Sequence, residues 1–556
     1  MSGRAEAKPV WITGGTVIDG TGAPGRRAEV LIEGDRIARI SDPGSAAPEG
    51  AELLDATGLV VAPGFIDVMS HSVSSLLSGG QSLGKVHQGV TTEIMGEGWT
   101  PAPAVPGEAH GFPIHGLPGD DPAWIQRANG WTRFGDWMAA QEGVGAAVNF
   151  GSFIGGATVR MMARGHAEGE SSPEQLAEMR RVVREAMEDG AYGLATALIY
   201  PPGSYASQGE LVAVCEEVAA YGGIYTTHMR SESERLLDGL EEALEITRRS
   251  GARLHLYHLK AAGHSAWPKM KQLIERVNAE RSAGRDIHAD MYLYTAGGTG
   301  LSALAPPWAS EGDRLRERLR DPEARARIRQ AMLAPDGSWE PLGTLAGPAG
   351  AFPVGLKLQG HQDYRGRSLA EIAAIRGQDW IDAALDLVLL EPERVGVLLH
   401  LMSEENIRAQ LQEPWVMLGS DAAGDDPATL PGGGAGTHPR ALGNFTRLLG
   451  HYVRDLGLLT LEEGVRRMTG LPAGHFRLTD RGELKAGAYA DVVVFDAQTI
   501  CDRATYADPG QLSAGVRDVW VNGVRVLEGG LPTGALPGRR LYGPGALHGS
   551  GRPSGS

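Results

Sequence analysis

Cysteine is almost missing from this chain. Its two thiols, Cys215 and Cys501, lie far apart in unrelated contexts, and they form neither a disulfide framework nor a zinc-ribbon spacing. No run of about 18 apolar residues occurs, which leaves no candidate for a membrane-spanning helix. The opening "MSGRAEAKPVWITGG" has no apolar core of the kind a secretion signal needs. Positive charge is also scarce. With 52 Lys and Arg against 68 Asp and Glu the formal net charge is −16, which argues against a sequence-independent grip on nucleic acid or on an anionic membrane. The expectation is a cytoplasmic protein whose partners are small molecules, its subunit count open and a homo-oligomer included.

What is present is length and alternation. The 556 residues can bury a large core. The first sixty read as short strands and turns: "VWITGGTVIDGTG" alternates into Gly-rich turns, and "AEVLIEGDRIARIS" reads as a hairpin turning at Gly34–Asp35. An all-β pattern returns in "ADVVVFDAQTI" and in "VRDVWVNGVRVLEGG", with a turn at Asn522–Gly523. Neither end is large enough to stand alone, so both are expected to build one small β-sandwich, from 1–62 and 476–545. The Gly/Ser/Pro-rich tail 546–556 reads as disordered.

Between these segments strand and helix signals alternate, the mark of a parallel βα repeat. The clearest helix spans 173–190: Ser172 can cap it, Pro173 suits its first position and Gln175 completes a capping box. Apolar strands ending in polar side chains finish near His71, Glu97, Asn149, Thr196, His228, His258, Asp290 and Asp421. Eight such strands imply an α/β fold of the (β/α)8 barrel type over 63–475, with reactive side chains at strand C-termini. The Arg/Glu-rich helical stretch "GDRLRERLRDPEARARIRQAML" and the Gly/Pro-rich run after it read as an insertion over about 303–362.

A lone histidine on a strand is more often a hydrogen-bonded core residue than a ligand. Here His228 in "IYTTHMRSES" and His258 in "LHLYHLKAAG" end neighbouring strands, and Asp421 in "VMLGSDAAG" ends another. A barrel gathers such ends into one mouth, where two imidazoles suit Zn²⁺ and leave a position for water.

At this point the chain resembles the amidohydrolase superfamily, and within it the D-aminoacylase (N-acyl-D-amino-acid deacylase) group. The resemblance runs through "GGTVIDGTG", "PGFID", "GVTTEIMGEGWTPAP", "GAYGLATALIYPPGSYAS", "THMRSE", "YHLKAAG", "DMYLYTA", "LGSDAAG", "THPRALGNF" and "RGELKAGAYADVVVFD". It implies that His228 and His258 hold the tightly bound metal and that Asp421 is the acid/base carboxylate. Two motifs depart from the family. Its His-x-His is Met69–Ser70–His71 here, and its Asn-Cys-Gly after "VTT" gives way to Glu97–Gly98. Glu97 can offer an oxygen in place of the lost thiolate, so the expectation is a single ion, zinc or another divalent metal, on Glu97, His228 and His258. Met69 then reads as an apolar filler. Lys260, Tyr294, Arg440 and His71 are the candidates for binding substrate, Arg440 as a bidentate carboxylate clamp. The implied reaction is hydrolysis of a linear amide in an N-acyl-D-amino acid or a similar carboxylate-bearing acylated amine. A cyclic or secondary-metabolite amide, and a catalytically inactive scaffold of the same fold, stay open as alternatives.

Overall fold

In the computed structural model, which describes residues 8–104, 122–428 and 437–546, eight parallel strands form a closed barrel. They are β1 (Phe65–Ser70), β2 (Val90–Met95), β3 (Asn149–Ser152), β4 (Gly193–Ala197), β5 (Ile224–His228), β6 (Arg253–Leu256), β7 (Ile287–Met291) and β8 (Val416–Leu418). Each pairs in parallel with the next, the step from β3 to β4 being made by Ile154–Gly155. The seam closes between β8 and β1, where Ser70 bridges to Ala422 and the Asp421 N–H donates to the Met69 carbonyl at 2.9 Å.

The helices are set by local chemistry. Pro173–Glu188 begins with Ser172 and Gln175 closing a reciprocal capping box, and Met179, Val182, Val183, Ala186 and Met187 supply its buried stripe. Among the described residues no helix is long and apolar enough to cross a membrane.

The β segments of both ends share one body. Val60–Pro63 pairs antiparallel with Val492–Phe495 inside a seven-stranded sheet. A four-stranded sheet containing the Glu29–Glu33 and Arg36–Ser41 hairpin packs on it through Ile12, Val30, Ile32, Val492 and Trp520. The tail 547–556 lies outside the described residues.

Two readings of the chain need correction. The inserted unit runs wider than 303–362: Ala296–Gly300, Ala351–Val354 and Gly396–His400 form an antiparallel sheet with helices between, around a separate core that includes Leu319, Ile328, Leu369 and Ile381. Its Arg/Glu-rich stretch is two helices, Leu315–Arg320 and Pro322–Leu333, because Asp321 caps the second and Pro322 opens it. Asn149 begins β3 instead of ending it. At the base of the barrel it hydrogen-bonds Asp491 and Asn522 of the β-domain, at 3.0 and 2.8 Å.

Candidate active site

At the C-terminal ends of the strands lies a cavity of about 570 Å³, the end of this barrel type where reactive groups gather. His228 closes β5, His258 follows β6, and Glu97 follows β2 between two glycines with left-handed backbone, Gly96 (φ 111°) and Gly98 (φ 62°). A Cβ at Gly96 would stand 2.5 Å from the Phe153 carbonyl oxygen. Only glycine lets the chain turn there and present Glu97 inward. Glu97 Oε1 sits 3.3 Å from His228 Nδ1 and 3.2 Å from His258 Nε2, and the three ligand atoms lie within 4.8 Å of one another. One carboxylate oxygen and two imidazole nitrogens, converging in a buried pocket, suit a divalent ion of borderline hardness.

Beside this trio Asp421 Oδ1 lies 2.8 Å from His71 Nε2, a hydrogen bond, and its Oδ2 forms an ion pair with Arg440 Nη1 at 2.8 Å. His71 Nε2 also lies 3.1 Å from Glu97 Oε2. Both Asp421 (φ 49°) and His258 (φ 31°) hold left-handed backbone, a conformation that neighbouring structure must enforce on a non-glycine residue. Burial opposes the charge on each of these groups, but the partners win. The Arg440 charge and the His71 hydrogen bond bring Asp421 down to about 2. Hydrogen bonds from His228, His258 and His71 hold Glu97 well below the usual carboxylate range. Against its own desolvation, His71 is raised to about 10 by Asp421 and Glu97. The mouth is thus a nest of carboxylates whose field favours a cation.

The model of the Amidohydrolase family matches residues 357–527. D-aminoacylase of Alcaligenes xylosoxydans xylosoxydans is 35% identical over 531 residues, covering 95% of this chain and 96% of that protein. The chain belongs to the D-aminoacylase group of amidohydrolases. A D-aminoacylase structure concerned with one-metal activation and second-metal attenuation at a binuclear centre superposes with a TM-score of 0.78 at 33% identity, over 96% of this chain and 99% of that one. N-acyl-D-glutamate deacylase of Bordetella bronchiseptica, solved with zinc and a phosphonate mimic of the tetrahedral intermediate, gives 0.77 at 30%, over 96% and 100%.

Within this amidohydrolase the altered first motif is packed, not vacant. Met69 is 1% exposed among Ile94, Phe153, Tyr257 and Met417. Lys260 is less free than a substrate clamp would be: its ammonium donates to both oxygens of Glu232, at 2.8 and 2.7 Å, and lies 2.6 Å from His258 Nδ1. Tyr294 does not face the cavity. Its hydroxyl donates to Asp502 at 3.0 Å, and Tyr292 lines the cavity instead, under the Arg440 guanidinium, which is 4.4 Å from its ring centroid. Alternation would place both tyrosines on one side, but β7 ends at Met291 and the alternation ends with it.

Glu232 was not singled out from the sequence, although it stands in "THMRSE" four residues after His228. Its carboxylate lies 3.0 Å from His228 Nε2 and 3.2 Å from His258 Nδ1, the ring nitrogens turned away from Glu97. Despite burial, the charges of His228, Lys260 and His258 keep it well below the usual carboxylate range. It stands behind both imidazoles, the place an outer carboxylate takes around a metal site.

Proposed function

We propose that this chain hydrolyses the linear amide of an N-acyl-D-amino acid with one divalent ion, zinc by its donor set, on Glu97, His228 and His258. The observation that carries this reading is the convergence of those three donors beside Asp421 in a cavity that also holds the Arg440 guanidinium. A bound zinc ion supplies Lewis-acid polarisation of the scissile carbonyl and lowers the pKa of water.

The chain's own groups do the rest. Arg440, stacked over Tyr292, offers its planar fork to the substrate carboxylate. Asp421, kept ionised by Arg440 and His71, accepts the proton of the attacking water on its carboxylate. The new C–O bond forms, the C–N bond breaks, and Asp421 returns the proton to the departing nitrogen, leaving a carboxylic acid and a free amino acid. His71 holds Asp421 Oδ1 in place, and Glu232 holds the two rings. The apolar wall of Ile199, Leu342, Val354, Val397 and Leu401 suits the hydrocarbon part of the substrate.

The test is amine release by zinc-replete protein from paired N-acetyl-D- and N-acetyl-L-amino acids, with cyclic amides alongside. Turnover confined to D substrates is the expected result. A panel-wide absence of product, or turnover of the cyclic amides alone, would overturn the reading.

A further inference from the structure

We infer that Lys85, which lines no part of the cavity, is a positioning residue that sets the backbone of Asp421. The inference rests on the role just proposed for Asp421. Lys85 lies on the short helix Leu83–Val86 ahead of β2 and is fully buried. An ammonium has three N–H donors and no acceptor. All three are used: Nζ donates to Asp67 Oδ2 at 2.6 Å, to the Ala422 carbonyl at 2.8 Å and to the Ser420 hydroxyl. Two of these acceptors belong to the residues on either side of Asp421.

Asp67, also fully buried, completes the grip: its Oδ1 accepts the Ser420 N–H at 2.9 Å and the Met69 N–H at 3.2 Å. The Asp421 N–H in turn donates to the Met69 carbonyl. Residues 420, 421 and 422 are therefore each tied to β1 or to Lys85, and the tied segment is the one at φ 49°. A left-handed backbone at a non-glycine residue persists only where its surroundings over-determine it, and here the over-determining group is a cation that substrate does not reach. Glu93 extends the network, accepting from the hydroxyls of Ser70, Ser72 and Ser82 and lying 3.9 Å from Nζ.

A buried ion pair that merely closed the β8–β1 seam would look similar, and the experiment separates the two roles. Lys85→Met removes the donors at similar length. In full-length, zinc-loaded protein, kcat is expected to fall by about 10- to 100-fold, the scale of a misplaced reacting group, with KM within about threefold and zinc still bound. Arg160→Met is the comparison: it breaks another buried ion pair, to Glu210 at 2.6 Å, outside the cavity lining. It should lower the melting temperature and leave kcat unchanged. Should Lys85→Met fail to fold, Ser420→Ala withdraws the hydroxyl that accepts from Lys85 and from the Ala422 N–H while leaving the ammonium paired with Asp67, and should lower kcat several-fold at near-native melting temperature. A folded variant of either kind with wild-type kcat, or one whose loss of rate tracks loss of zinc, overturns the inference. Wild-type deacylation together with an inactive Asp421→Asn establishes the underlying reading first, so the two failures stay distinguishable.

Discussion

The barrel carries two groups of histidine and carboxylate, one at each end of its strands, and they differ in the balance of charge around them. At the mouth, Glu97, His228 and His258 are joined by Glu232 and Asp421. At the base, Asp286, His288 and His475 also bring three ligand atoms within 4.8 Å, with His255 against His475 at 3.2 Å. There Arg253 already occupies the cation's place, donating to Asp286 at 2.6 Å and to His475 Nδ1 at 3.1 Å. The histidines respond in opposite directions. Despite burial, His228 is raised to about 9 by Glu232 and Glu97, whereas burial and then Arg253 push His255 down to about 3. A donor set of the same kind thus recurs at both ends, and what differs is the charge set against it, carboxylates at the mouth and the Arg253 guanidinium at the base.

The largest expected effect breaks this comparison directly. His258→Ala should abolish both zinc binding and turnover, while His475→Ala should leave the zinc content, measured by elemental analysis, at the wild-type value. Zinc lost through His475 would show that the base also holds an ion.

Next, Asp421→Asn should lower kcat by at least about 100-fold with zinc retained, since it keeps the shape and removes the proton acceptor. Near-normal turnover would place the base elsewhere. A smaller effect is expected at Glu232→Gln, whose loss of charge behind both rings should weaken zinc binding by about 10- to 100-fold, read by competition with a chelating dye.

The base cluster sharpens the comparison through pH. His255 stays neutral in the fold down to about 3, while the unfolded chain takes up a proton below its ordinary 6.5. Its contribution is present above pH 6.5 and is lost as pH falls toward 3. In metal-free protein, His255→Gln should therefore flatten the fall in melting temperature across that window; an unchanged slope would refute the assignment. The smallest effect belongs to Met69→Leu, under about 1.5 kcal/mol of stability with zinc intact. Met69→His should bring no gain in turnover, and a several-fold gain would make position 69 part of the metal site.

Much of this architecture follows from short-range pattern. Alternation marks the strands, Gly34–Asp35 and Asn522–Gly523 turn their hairpins, and Ser172 with Gln175 starts a helix, because each depends on residues a few positions apart. His228, His258 and Asp421 were visible as polar ends of apolar strands. The contacts that give them chemistry were not. Glu97 meets His258 across 161 residues and Lys85 meets Ser420 across 335. Tyr292 lines the cavity and Tyr294 does not, because the strand has ended at Met291, ahead of both. Histidines of the same type face a ring of carboxylates at one end and a guanidinium at the other. Local sequence determines where a strand ends and what stands there. Which ends meet, and what charge surrounds them, is decided by closure of the barrel, which joins residues too distant in the chain for any local pattern to pair.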